Sequence, residues 1–317
     1  MTEILGIHHV TAITGGAQAN LDFYTRVLGL RLVKRTVNQD VPDTYHLFFA
    51  DADGTPGTDL TFFPWAESPA VQPGIGLAME LSLAIPSGSG EYWRQQLAQH
   101  GAPVQAEEQR RGERALLLND PFGQPLSLVE TGDTRAFAAW EQSPVPPEFQ
   151  IRGLHAVRLW ERELAPTATF LVDVLGFKPL GEEAGWHRFG VGEGGSGQHL
   201  DIREVPAATR GRWGVGGIHH VAWRVKDEPS QLVVRARVEA ARRRPTEVID
   251  RFWFHSVYFL EPGGVLFEIA TDGPGFSIDE STETLGEHLV LPPWLESRRS
   301  EIEAVLPPLV LSATGAA

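Results

Sequence analysis

The stretch GIHHVTAITGG at residues 6–16 returns as GGIHHVAWRV at residues 216–225. Tandem histidines are poor core material, because an imidazole buried without hydrogen-bond partners costs on the order of 1–3 kcal/mol. Their recurrence points to a repeated unit, and self-similarity at long range constrains a fold more than any local propensity. After the first pair comes AQANLDFYTRVLGLRLV, with Leu21, Tyr24, Val27 and Leu28 at helical spacing and Gly29 placed as a C-cap. A weaker copy follows Gly153, where Leu171, Val174 and Leu175 form the apolar face and Gly176 takes the place of Gly29. At the far ends, DPFGQPLSLVETGD (120–133) matches EPGGVLFEIATD (261–272), each a Pro/Gly turn leading into an alternating strand. The pattern is strand, helix and three short strands, four times over, at about 5–65, 76–132, 151–205 and 216–272.

The Pro-rich SPVPPEFQ at 143–150 reads as a linker between halves. It separates an N-terminal domain, 1–142, holding units 1 and 2, from a C-terminal domain, 151–272, holding units 3 and 4. A Pro-punctuated tail, 273–317, carries one expected helix around Trp294–Val305. The formal charge of −14 with no long basic run argues against nucleic acid or an anionic membrane surface as partner. Arg242, Arg243 and Arg244 read as the solvated end of a helix. No apolar run approaches the roughly 20 residues of a spanning helix, and no basic-then-apolar leader opens the sequence. The absence of cysteine excludes disulfides, thiolate nucleophiles and sulfur-ligated metals, and suits a reducing cytoplasm. The expectation is a soluble, cytoplasmic protein with small-molecule partners; homo-oligomerisation is left open.

A βαβββ unit repeated four times resembles the vicinal-oxygen-chelate superfamily, over about residues 5–272. The resemblance implies an α+β fold of four modules in paired, strongly curved mixed sheets, of the glyoxalase and extradiol dioxygenase type. It further implies one divalent metal in a concave face, with His and Glu ligands on the strands that open and close a module. The repeat then tests each module for its ligand. His9 and His220 occupy the same place in HHVT and HHVA, whereas the equivalent of His9 in module 3 is Ala156. Glu268 lies six residues beyond Pro262, and six beyond Pro121 stands Ser127. Subtraction leaves His9, His220 and Glu268. Two imidazoles and a carboxylate form the triad associated with non-haem Fe(2+), which leaves positions open for substrate and dioxygen. Zinc sites use the same ligand types.

The segments HHVTAITGGAQANLDFYTRVLGLRLVKRTVNQD, TYHLFFAD, PGTDLTFFPW, GIHHVAW and LGEHLVLPPWLESRR carry a closer resemblance. They are similar to the ring-cleaving dioxygenases that open para-hydroquinones, the (chloro)hydroquinone 1,2-dioxygenases, along nearly the whole chain. In that family the ligands come from the first and fourth modules, an arrangement that Ala156 and Ser127 fit. Modules 1 and 4 are then expected to form one cup and modules 2 and 3 an empty one. The resemblance implies second-shell or acid/base roles for His8, Thr11, His219, Arg251 and Tyr258. It implies an Fe(2+) enzyme that inserts both atoms of O2 into a hydroquinone-type aromatic. A catechol extradiol dioxygenase, a glyoxalase-type isomerase or lyase and a metal-free binding protein of the same fold are the alternatives. His255, in FWFHSVYF, stays outside the expected site.

Overall fold

The computed structural model describes residues 3–132 and 135–311. Each of the four sequence units folds as one strand, one helix and three strands. Unit 1 comprises β1 (Ile4–Thr14), α1 (Ala17–Asp22), β2 (Arg31–Val37), β3 (Tyr45–Ala50) and β4 (Asp59–Pro64). Unit 2 comprises β5 (Leu77–Pro86), α2 (Gly90–Gln99), β6 (Ala106–Arg110), β7 (Glu113–Asn119) and β8 (Pro125–Thr131). Unit 3 runs through β9 (Gly153–Glu161), α3 (Leu164–Asp173), β10 (Lys178–Glu183), β11 (Trp186–Gly190) and β12 (His199–Glu204). Unit 4 runs through β13 (Gly217–Val225), α4 (Glu228–Ala240), β14 (Ile249–Asp250), β15 (Phe254–Leu260) and β16 (Leu266–Pro274). The helix of unit 1 continues into a π-helical turn, Phe23–Val27, and ends at Gly29, whose φ of 71° is the left-handed geometry expected of its cap. In the tail, the helix expected around Trp294–Val305 is a 3-10 turn, Glu296–Arg298, leading into α5 (Arg299–Val305).

The units pair across the sequence. One eight-stranded sheet has the order β14-β15-β16-β13-β1-β4-β3-β2 and joins units 4 and 1. The other, β10-β11-β12-β9-β5-β8-β7-β6, joins units 3 and 2. Both halves of the chain thus contribute to both sheets. The joints are antiparallel, β1 with β13 and β5 with β9, while the opening and closing strands of each unit run parallel. No helix among the described residues is long and apolar enough to cross a membrane.

Strand alternation separates two environments in the first sheet. Leu47, Phe49, Leu60 and Phe62 pack with Leu21, Tyr24 and Val27 in the main core. The intervening residues, His46, Phe48, Thr61 and Phe63, face the other way, toward the side that carries His9. The tail closes over part of this second side. Phe276 and Leu285 pack with Val33, Phe48, Ala50, Trp253 and Phe254, joining strands from units 1 and 4.

Candidate metal centre

Three strands set the registers of the expected ligands. His9 on β1 pairs with Ala222 on β13, which in turn pairs with Glu268 on β16. His220 lies two residues before Ala222 and so returns to the same face. All three side chains are buried. His9 Nε2 stands 3.2 Å from His220 Nε2 and 3.3 Å from Glu268 Oε2, and His220 Nε2 is 2.9 Å from the same oxygen.

This donor set fits a metal. Glu268 Oε2 is buried and makes no well-aligned hydrogen bond, although two ring nitrogens crowd it. Donors held at about 2.0–2.2 Å from one cation lie about 3 Å from one another, which matches the observed triangle. Burial alone would raise the Glu268 carboxyl, but the adjoining imidazoles, His9 foremost, hold it well below the usual carboxylate range. Its other oxygen, Oε1, accepts a hydrogen bond of 2.5 Å from Ser256 Oγ, which fixes the carboxylate plane.

The tandem histidines find their purpose in two bulges. Along β1, Ile7 pairs with Trp223 and His9 with Ala222, so His8 is an extra residue. Along β13, Thr11 pairs with His220 and Ala12 with Ile218, so His219 is the extra residue there. Regular alternation would turn the first histidine of each pair away; a bulge re-aims it. His8 Nδ1 lies 2.9 Å from His9 Nδ1, and His219 Nδ1 lies 2.8 Å from His220 Nδ1. His8 is neutral: burial, then the neighbouring His9, pushes its pKa to about 3. Its Nε2–H donates to the Thr271 carbonyl at 3.2 Å, so its bare Nδ1 accepts from His9 Nδ1–H. That tautomer leaves the His9 Nε2 lone pair facing Glu268. Burial pushes His219 down to about 3 as well, and its ring stacks on Trp213 at 4.7 Å.

The triad lies at the wall of a cavity lined by His9, His220, Tyr258, Phe48, Phe63 and Phe254 among others. Tyr258 pairs with Glu268 across β15 and β16, and its ring lies 5.6 Å from that of His220. Arg251 lines the same cavity. Its guanidinium grips Asp40 with two hydrogen bonds of 2.9 and 3.2 Å and lies 5.6 Å from the Tyr258 ring. Thr11 is fully buried, its hydroxyl 2.7 Å from that of Thr61. Of the eight expected site residues, His9, His220, Arg251 and Tyr258 line the cavity. Glu268 is buried beside the two histidines; His8 and His219 contact His9 and His220, and Thr11 pairs with His220 across β1 and β13. His255 lies apart, with Glu228 and Asp250 3.8 Å from its ring nitrogens. His46, Phe48, Trp253, Phe254 and Ser256 went unnoticed in the sequence. The alternation of TYHLFFAD, which opposes His46 and Phe48 to Leu47 and Phe49, was the available signal for two of them.

A family model described as the Glyoxalase/Bleomycin resistance protein/Dioxygenase superfamily matches residues 6–128 and 153–269. The chain belongs to this superfamily. A protein of Bacillus subtilis (strain 168) named as a ring-cleaving dioxygenase, MhqO, is 40% identical over 96% of this chain and 97% of its own. The chlorohydroquinone/hydroquinone 1,2-dioxygenase of Sphingobium indicum is 32% identical over 95% of each chain. A crystal structure of a protein named as a dioxygenase from Bacillus subtilis aligns with a TM-score of 0.91 at 39% identity, covering 98% of this chain and 99% of that one. Glyoxalase I from Zea mays, with a TM-score of 0.64 at 14% identity over 89% and 97%, shares the fold.

Within the superfamily fold, the second sheet carries other residues at the positions of the triad. Ala156 pairs with Ser82, and Ser82 with Ser127, in the register that His9, Ala222 and Glu268 occupy in the first sheet. A guanidinium meets Ser127 instead. Arg110 Nη1 donates to Glu80 at 2.5 Å and to Ser127 Oγ at 3.1 Å. Arg188 forms a two-pronged pair with Asp201 beside it, at 2.8 and 3.1 Å.

The backing histidines should tune metal binding rather than create it. His8→Ala is expected to weaken metal affinity by about 10–100-fold, as partners of metal-bound imidazoles usually do. Competition with a chelator measures this, and affinity equal to the parent's would make the His8–His9 contact incidental.

Proposed function

We propose that this chain is an Fe(2+)-dependent ring-cleaving dioxygenase that inserts both atoms of O2 into a small hydroquinone-type aromatic. One observation carries the reading: two imidazoles and one carboxylate converge at the wall of an aromatic-lined cavity. Among the described residues no fourth His, Asp or Glu donor joins them, which separates the site from a glyoxalase-type centre that uses a second carboxylate. The names of the relatives support the same reaction class. The absence of cysteine supports a reducing, cytoplasmic setting.

His9, His220 and Glu268 would hold the iron, which supplies the one-electron chemistry that ground-state O2 requires. The chain's own groups do the rest. Phe48, Phe63 and Phe254 offer flat apolar surface to an aromatic ring and keep water from it. Burial, and then the nearby Glu268 carboxylate, raise the Tyr258 phenol, so it keeps its proton at neutral pH. Its hydroxyl is therefore a donor toward oxygen that gains negative charge beside the triad. Arg251, tied to Asp40, lines the cavity and lends positive charge to the same region.

The test is anaerobic loading with Fe(2+), followed by oxygen uptake on a panel of hydroquinones and catechols with 18O2. Two labelled oxygens in a ring-opened product are expected. Activity with Ni(2+) or Zn(2+) and no oxygen uptake would overturn the reading in favour of an isomerase.

Tyr258→Phe removes one donor and keeps the ring. Iron content should stay at the parent's level while turnover falls by about tenfold or more; an unchanged kcat would reduce Tyr258 to packing.

A further inference from the structure

We infer that His46 reads the hydroxyl of the substrate para to the oxygen held at the triad, and thereby sets a preference for para- over ortho-dihydroxybenzenes. The inference rests on the ring-cleaving function proposed above. Nothing in the triad, Tyr258 or Arg251 explains this histidine, yet it lines the same cavity.

Its ring is held from both sides. The centroid lies 4.0 Å from that of Phe48 and 4.5 Å from that of Phe63, so the plane cannot swing freely. One nitrogen is anchored: Nε2 lies 2.9 Å from Thr61 Oγ1, itself 2.7 Å from Thr11 Oγ1. Nδ1 has no partner among the described residues. Burial first, then the neighbouring His9 and His220, keeps the imidazole well below its usual pKa, hence neutral. If Nε2 donates to Thr61, Nδ1 offers a lone pair; if Thr61 donates to Nε2, Nδ1 carries the proton. Either state is complementary to a phenolic hydroxyl, which both donates and accepts.

Position supplies the selectivity. His46 is on β3, two strands from the strand of His9 in the order β1-β4-β3, and level with Ile13, four residues along from His9; its Nε2 reaches back to Thr61, whose hydroxyl meets that of Thr11. An imidazole that lines the same cavity as His9 and His220 but stands apart from them suits the far end of a para-diol whose first oxygen is at the triad. An ortho-diol places both oxygens at the triad and leaves His46 without a partner. A ring without a distal hydroxyl leaves the His46 Nδ1 unpaired there.

The experiment compares anaerobic binding of hydroquinone, catechol and phenol to the Fe(2+)-loaded protein and to His46→Phe, which keeps an aromatic ring beside the two phenylalanines. The parent should favour hydroquinone over phenol by about five- to tenfold, the size of one neutral hydrogen bond. In His46→Phe that ratio should fall to about one, with iron content and the affinities for phenol and catechol retained. His46→Asn, which keeps a hydrogen-bonding group, should recover part of it and serves if the phenylalanine variant does not fold. A hydroquinone preference undiminished in the variants would overturn the role of His46 alone, provided the parent cleaves hydroquinone. A parent that takes up no oxygen with any dihydroxybenzene would overturn the functional reading and this inference with it.

Discussion

Glu268→Ala, His9→Ala and His220→Ala are each expected to leave a folded protein without bound metal and with turnover at background. The three side chains stand only 2.9–3.3 Å apart, so each would provide one of three contacts to a single ion. With one removed, the remaining two face water or each other, and no neighbouring His, Asp or Glu among the described residues takes the vacant place. A fall in turnover of at least about a thousandfold, roughly 4 kcal/mol in the barrier, is the expected scale. His155→Ala is the control. It opens the third unit as His8 opens the first, but hydrogen-bonds Ser196 in the other sheet at 2.9 Å and should keep full metal and activity. Metal analysis with circular dichroism checks each variant. Full iron in His9→Ala would mean that the centre is not the one on β1, β13 and β16.

Much of this arrangement was legible because a repeat carries its own internal control. Ala156 and Ser127 could be recognised as losses only because His9 and Glu268 occupy the same places in sister units, and the strand registers place those residues opposite Ser82 and Ala222 alike. The bulges were not legible. Strict alternation puts His8 and His9 on opposite faces, and an extra residue leaves no mark in the sequence when the partner strand lies more than two hundred residues away. His46 was missed for a different reason. It has no sister histidine in another unit, so comparison of repeats could not single it out, and its apolar neighbours read as an ordinary buried strand. The Arg110–Glu80 pair was equally hidden, because a buried guanidinium on a strand looks in sequence like a solvated charge until its acidic partners are placed around it.

Lys34→Ala should be the most destabilising single change outside the centre. The Lys34 side chain is fully buried, and its ammonium donates to the Phe276 carbonyl at 3.2 Å, to Asp279 at 2.7 Å and to Glu280 at 2.6 Å. It also lies 5.5 Å from the Trp253 ring, whose Nε1–H donates to the second Asp279 oxygen at 2.9 Å. One lysine on β2 thus ties the tail to unit 1 and, through Trp253, to unit 4. Removing it leaves the Glu280 carboxylate, 5% exposed, without its cation. Breaking a buried ion pair from one side costs about 3–5 kcal/mol, so Tm should drop by roughly 5–15 °C. Trp253 and Phe254 line the cavity, so KM for the aromatic substrate should rise while kcat changes less. The triple variant Lys34→Met, Asp279→Asn and Glu280→Gln removes all three charges together and should regain part of the lost stability, since no buried charge is then left without its partner. An unchanged Tm in Lys34→Ala would assign the hold on the tail to Phe276 and Leu285 packing against Val33 and Phe48, with the ion pair contributing nothing measurable.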